Sequence, residues 1–315
     1  MGDFMIRIVK KGKTDETLIN LEDIKQGSWV DMTNPKEKEI KDFIQKTGIL
    51  REYITTGLDE DERPRFDVDK DTLVIFRVPC EAKTDSGLSI KTMPIGIIIN
   101  DKHITTVHLS KTEVLNDFFE NKIKNFHTTK KTRFLIQIMS RANFYFSKYL
   151  DKVESEINKI EGKLMKSLKN EEVIRLFKLQ KALVYFSTAI MANGNVLENI
   201  FKGKVVKLYK EDEDMLTDII TENKQCLEMT TIFNNILSNT LDAYASVVSN
   251  NLNVVMKLLT SLTIILSIPT IVTSFYGMNI ALPFQKSPMA FMLTLLISLF
   301  LSTIIAIIFM KKKWL

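Results

Sequence analysis

Asn253, Thr260, Thr263, Ser267, Thr270 and Ser274 follow one another at steps of 7, 3, 4, 3 and 4 residues. On a helix this spacing lines six small polar side chains along one face, at a period near 3.5. They offer hydroxyl and amide oxygens, with no charge, imidazole or thiol among them. Such residues in an apolar helix often bond back to their own backbone or let helices pack closely. Six in register read instead as a face in contact with water. One helix cannot enclose water, but a ring of copies can, with this face inward.

The elements that must hold this face are apolar. Leu258 to Phe275 carries no charge, and neither does Ser287 to Met310, which stops at Lys311-Lys312-Lys313. A bilayer core of about 30 Å needs roughly 20 apolar residues as helix, so both stretches are expected to span a membrane. The loop between them is too short for a domain, and the two spans form an antiparallel hairpin with both chain ends on one side. Lys257, Lys311, Lys312 and Lys313 flank the spans on that side, against Lys286 alone in the loop. Basic residues collect on the cytoplasmic side, so both termini are expected in the cytoplasm and the protein in the cell (inner) membrane. Met1-Gly2-Asp3-Phe4 does not resemble a signal peptide, and Gly2 lacks the Ser/Thr of a myristoylation site. The sparse polar residues of the second span, Thr294, Ser298, Ser302 and Thr303, suit an outer, lipid-facing helix.

Outside the spans lie about 250 residues, room for one or two soluble domains. The net charge of +5 includes the membrane-flanking lysines, so no nucleic-acid footprint is read. Cys80 and Cys226 are expected as free thiols, and His103, His108 and His127 lack metal-ligand spacing. No phosphate loop or nucleophile elbow is present, so the chain does not read as an enzyme.

Residues 1–130 read as an α/β domain. Phe4–Val9, Thr72–Val78, Gly96–Ile99 and His103–His108 have strand composition, the last two joined by a turn at Asn100-Asp101-Lys102. Asn34 is expected to cap a helix with Pro35 at its first position and Gly48 at its end, and Lys111–Phe126 to form a second helix. Residues 131–210 read as a long helical hairpin. Phe134, Ile138, Phe146, Val153, Ile157, Ile160 and Leu164 share one face, a break falls at Ser167–Asn170, and Asn170 caps the next helix. Val173, Leu176, Phe177, Leu183, Phe186 and Ile190 line that helix. Residues 211–275 read as one helix, with Met215, Ile219, Cys226, Phe233, Leu237, Tyr244 and Val248 at helical spacing and its last part, about 256–275, in the membrane. At 1.5 Å per residue it is about 100 Å long and needs partners along its length. Its first residues, Glu211-Asp212-Glu213-Asp214, complement the helix dipole. The remainder is an external loop at 276–287, a second span at 288–310 and a basic tail at 311–315.

Tyr276-Gly277-Met278-Asn279 between two C-terminal spans, with the terminal Lys311-Lys312-Lys313-Trp314-Leu315, resembles the CorA family of divalent metal ion transporters. Trp29-Val30-Asp31 and Asp59-Glu60-Asp61-Glu62-Arg63-Pro64-Arg65 look like two further segments of that family. The resemblance implies a homopentameric, funnel-shaped channel that carries Mg²⁺ and admits Co²⁺ and Ni²⁺. It implies mouth residues at Gly277, Met278 and Asn279, and a pore face of Asn253, Met256, Leu259, Thr263, Ser267, Thr270 and Ser274, with Leu259 in place of Thr260. It also implies regulation by cytoplasmic Mg²⁺ held between subunits, one ligand falling on Asp218 and the partner acid on Asp85 or Asp101. Two features depart from the pattern: the loop Ile280–Lys286 has no acidic residue, and Ser267 stands where members commonly place a bulky apolar gate.

Mg²⁺ gives up its first water shell reluctantly, and a ring of Asn279 amide oxygens can accept hydrogen bonds from those waters without stripping them. Asn279 also reads as a helix C-cap, and Gly277 as a site of close backbone approach or positive φ. An inside-negative potential supplies about 4.6 kcal/mol per 100 mV to a divalent cation. Zn²⁺ or Co²⁺ as the transported ion, and a membrane-anchored metal sensor without conduction, remain as alternatives.

Overall fold

The computed structural model describes residues 5–12, 16–84, 87–164, 170–280, 282–284 and 287–314. The chain divides into two compact units, 1–239 and 240–315.

The β-branched runs of the first unit form a seven-stranded sheet. Its strands are β1 (Met5–Lys10), β2 (Ile19–Asn20), β3 (Trp29–Thr33), β4 (Arg65–Val68), β5 (Thr72–Thr84), β6 (Gly87–Ile99) and β7 (Ile104–His108). Their order is β2-β1-β3-β7-β6-β5-β4, antiparallel except for the parallel β3–β7 pair. Alternation sends Val30 and Met32 to a core shared with Ile40, Phe43, Tyr53 and Ile54 of α1 (Glu37–Thr47) and α2 (Arg51–Thr56). Trp29 goes to the opposite face, where its ring meets Phe118, Phe119, Phe126 and Phe134 at 4.4–6.4 Å. That face is covered by α3 (Glu113–Phe119), α4 (Lys131–Leu164) and α5 (Asn170–Phe201).

The three histidines are structural. His108 is buried between the Asp31 carboxylate at 2.8 Å and the Ser110 carbonyl at 2.7 Å. His127 Nδ1 lies 2.9 Å from the Gly12 carbonyl. Burial, then Lys131 and Lys102, pushes the pKa of His103 down to about 4.

Several expected boundaries shift. The first helix is capped by Lys36, whose N–H donates to Glu39 Oε2 at 2.6 Å, not by Asn34, which has φ +43°. Its end at Gly48 is as expected, with φ +71°. The second helix starts after Thr112 and stops at Phe119, not Phe126; Asn121 and Asn125 adopt left-handed φ of +56° and +54°, which a helix cannot continue through. The acidic Arg-Pro segment is pinned by a half-buried guanidinium, because Arg77 donates to the carbonyls of Glu60, Glu62 and Thr92 at 2.7–3.0 Å. Pairing of β4 with β5 ends at Ile75, and beyond it the Asn193 amide replaces a strand, accepting from Arg77 N–H and donating to Arg77 C=O.

Helix α6 runs from Lys210 to Tyr276. Within the first unit it is fastened by Arg133 to Asp212 at 2.6 Å and Asn143 to the Ile219 carbonyl at 2.9 Å. A Cβ on Gly194 would lie 2.8 Å from Asn223 Oδ1, so a larger residue there would push the Asn223 amide aside. Phe134, Ile138, Phe146, Val153, Ile157 and Ile160 are buried on α4 as expected. Phe177 is not: it is 56% exposed, on the face of α5 turned from the core, and Val248 is likewise exposed. The expected break at Ser167–Lys169 and the burial of Leu164 fall outside the described residues.

In the second unit α6 continues to Tyr276 and α7 spans Ala290–Lys311. Both are long and apolar enough to cross a membrane. Ser261 and Ser298 are their fully buried residues, flanked by half-buried Ile265, Ile268, Pro269 and Val272 on α6 and Thr294, Ile297 and Ser302 on α7. Small residues at such positions let helix backbones approach.

Candidate functional site

All the polar-stripe residues are exposed: Asn253, Thr260, Thr263, Ser267, Thr270 and Ser274, as are Met256 and Leu259. At 100° per residue they fall on the side of α6 opposite Ser261, Ile265, Pro269 and Val272. The stripe therefore faces away from α7. Thr263 Oγ1 donates to the Leu259 carbonyl at 2.8 Å, Ser267 Oγ to Thr263 at 2.8 Å and Thr270 Oγ1 to Leu266 at 3.4 Å. The back-bonding anticipated for such hydroxyls is thus present. It spends their protons inward and leaves oxygen lone pairs as the outward-facing polar groups.

Pro269 shapes this face. Its ring clashes with the carbonyl four residues earlier and removes one helix hydrogen bond, which opens the helix on the proline's side. Pro269 lies on the half-buried side, opposite the stripe. Along the stripe a groove of about 850 Å³ runs past Thr263, Ser267, Thr270 and Ser274 to Met278.

The helix ends at Tyr276, with Gly277 N–H bonded to the Thr273 carbonyl at 2.9 Å. Gly277 does not have a positive φ, contrary to one reading of it. A Cβ there would sit 3.3 Å from the Thr273 carbonyl, the helix's own backbone one turn earlier. Asn279 lies three residues past the helix without a positive φ, so it is not a left-handed C-cap; it is exposed, as is Met278. Lys257 is exposed on α6, Lys311 closes α7, Lys312 caps it and Lys313 takes φ +56°. The Trp314 N–H then bonds back to the Phe309 carbonyl at 3.0 Å, with the two rings stacked at 5.5 Å, a left-handed helix stop. Lys286 lies outside the described residues.

Asp218 is exposed on α6 in the first unit. One turn later, the Glu222 carboxyl is pushed above the usual range by burial and by the charge of Asp218. Among the described residues no group of three His, Cys, Asp or Glu is placed to hold a metal ion, so a site at Asp218 lacks a ligand set within one chain. Asp101 is exposed at the β6–β7 turn; Asp85 lies outside the described residues.

The heptad register also runs on beyond the stripe. The seven-residue register Gly277, Thr270, Thr263, Met256 continues to Ser249 and Asp242, and the register Ser274, Ser267, Thr260, Asn253 continues to Ser246. Asp242, Ser246 and Ser249 are exposed. Asp242 is the acidic group on this face, and extending the heptad count by two repeats finds it.

Residues 25–312 match the family of CorA-like Mg²⁺ transporter proteins. The chain belongs to that family. The cobalt/magnesium transport protein CorA of Methanocaldococcus jannaschii is 28% identical, with 98% of this chain and 99% of that protein aligned. The magnesium transport protein CorA of Helicobacter pylori strain 26695 is 24% identical over 98% and 96% of the two chains. The complete structure of the Methanocaldococcus jannaschii CorA magnesium transporter superposes on this CorA-like chain with a TM-score of 0.86, at 25% identity and full coverage of both.

Proposed function

We propose that this chain forms a homopentameric channel in the cell (inner) membrane, with both termini cytoplasmic, that admits Mg²⁺ down the membrane potential. The observation that carries the reading is a neutral, oxygen-bearing face on α6, opposite α7 and exposed in the single chain, that ends at Gly277-Met278-Asn279. With α7 outward in lipid, five copies of this face enclose a wetted lumen. Hydroxyls whose protons are turned inward present acceptors, which suit the water protons around a cation. Asn279 accepts from the first hydration shell at the mouth, and Asp242 gives the ion an acidic station at the cytoplasmic end. Asp218 holds regulatory Mg²⁺ with an acid of a neighbouring subunit, which favours the closed ring.

Co²⁺ and Ni²⁺ are admitted by the same chemistry. The relative named for magnesium alone supports the hard-ion reading over Zn²⁺, as does the absence of His and Cys from the spans. A sensor without conduction would have no use for the stripe. The test is Mg²⁺ uptake into indicator-loaded proteoliposomes under an imposed potential, with Co²⁺, Ni²⁺ and Zn²⁺ as competitors. Uptake should be lost in Asn279→Ala while the oligomer persists; near-normal uptake by that variant would remove Asn279 from the pathway, and no uptake by the parent protein would favour the sensor.

A further inference from the structure

A cavity of about 480 Å³ lies between α4 and α6 within the first unit, apart from the stripe. Its walls are largely apolar, with Ile123, Phe144, Met215 and Met229. Gln137 lines it, only 8% exposed; its Nε2 reaches the Lys124 carbonyl at 3.5 Å, while its buried Oε1 has no partner among the described residues. A buried acceptor without a donor is costly, and a ligand N–H would satisfy it. Glu222 stands on the same lining. Arg141 does too, but its guanidinium is held by Asp117 at 2.5 Å and lies 3.9 Å over the Phe144 ring. The Arg141 charge is thereby compensated, and Glu222 is left as the net charge of the cavity.

We propose that this cavity binds a short aliphatic amine, its ammonium group between the Glu222 carboxylate and Gln137 Oε1 and its methylenes against Phe144 and the two methionines. A mostly apolar pocket with a few convergent polar groups is the usual form of a small-molecule site. Glu222 is exposed, so the ammonium meets its carboxylate at the open side of the cavity.

The test is calorimetric titration of the full-length protein in nanodiscs with n-butylamine, and with n-butanol as the neutral isostere. The amine should bind at least tenfold more tightly than the alcohol at pH 8. Glu222→Gln, with unchanged thermal unfolding, should bring the amine down to the alcohol's affinity, and Phe144→Ala should weaken both alike. Equal binding of amine and alcohol, no measurable amine binding, or an unaffected Glu222→Gln variant would overturn the assignment. Displacement of the amine by equimolar Mg²⁺ would make this an inorganic-cation site and overturn it too. Mg²⁺ uptake through the stripe does not depend on any of these outcomes.

Discussion

Thr270→Val replaces a hydroxyl by a methyl of similar shape in the middle of the stripe. Thr270 is exposed in the chain, and its bond to the Leu266 carbonyl is long at 3.4 Å. Threonine and valine have similar helix propensities, so the change should leave folding and assembly nearly untouched. What is lost is the acceptor facing the groove. A hydrogen bond is worth about 0.5–1.5 kcal/mol net. If a hydrated ion touches only two of five such hydroxyls, the loss is about 1–3 kcal/mol, and if it touches all five, about 2.5–7.5 kcal/mol. At 1.4 kcal/mol per factor of ten, the smaller case slows passage about 5- to 150-fold. Uptake of Mg²⁺ into proteoliposomes under a fixed potential should therefore fall by about fivefold or more. The control is Thr303→Val, the same chemical change on the exposed side of α7, away from Ser298, where the Oγ1 bonds to the Leu299 carbonyl at 2.8 Å. It should leave uptake within about twofold of the parent, since the proposed channel puts α7 outward, away from the lumen. Thr270→Val uptake within the same twofold, with the oligomer intact, would refute the wetted-face argument. Equal losses in both variants would show a general effect of the hydroxyl on helix packing.

Asp218→Ala should lose most of the protection from protease that millimolar Mg²⁺ confers on the solubilised oligomer; equal protection of both proteins would exclude Asp218 from the sensing site. Lys286→Glu should raise the apparent Mg²⁺ affinity modestly at low ionic strength and hardly at physiological salt, where the Debye length is about 8 Å; an effect independent of salt would rule out long-range electrostatics as its cause. Burial alone would raise the Asp117 carboxyl, but hydrogen bonds from Tyr145, Arg141 and Lys122 outweigh it and hold the pKa below the usual range. A depressed carboxyl stabilises the fold above its unfolded pKa of about 3.9 and loses that contribution as the pH falls through the folded value. Asp117→Asn should cost about 3–5 kcal/mol of stability at neutral pH and flatten the acid limb of the unfolding curve; an unchanged acid limb would contradict this.

The parts legible from sequence were those in which one physical demand acts on many residues at a fixed spacing. The shared exposed side of Asn253, Thr260, Thr263, Ser267, Thr270 and Ser274 could be read because steps of three and four keep residues on one helix face. The strands at Thr72–Val78 and Gly96–Ile99 could be read because a sheet covered on both sides selects β-branched residues. The errors came where one residue decides. Asn121 and Asn125 end a helix by taking left-handed φ without being glycine. Lys36 displaces Asn34 as cap because Glu39 reaches back to its N–H. Helix α2 went unread because six residues are too few to show a period. Asn193 acts as a surrogate strand through a contact to Arg77 more than a hundred residues away, which no local pattern encodes. Phe177 followed the helical spacing but missed the core face, since spacing compatible with a face does not say which face the fold covers.

The same limit bears on α6. Up to Leu237 its apolar residues at helical spacing, Leu216, Ile219, Cys226, Phe233 and Leu237, are buried by the rest of the first unit. From Leu252 to Leu259, Val254, Val255, Met256 and Leu258 as well as the end residues are 49–61% exposed, and at 100° per residue they spread over about half of the helix's circumference. Burying one such side chain fully is worth about 1.5–3 kcal/mol. This part of the helix sits just before the uncharged span, with Lys257 inside it, so lipid alone does not cover it. In the proposed pentamer copies of the same helix would cover it, and they would bring the stripe's oxygens together around water at the same time. The apolar exposure and the polar register are thus one requirement: a helix that closes on copies of itself buries the first only by enclosing the second.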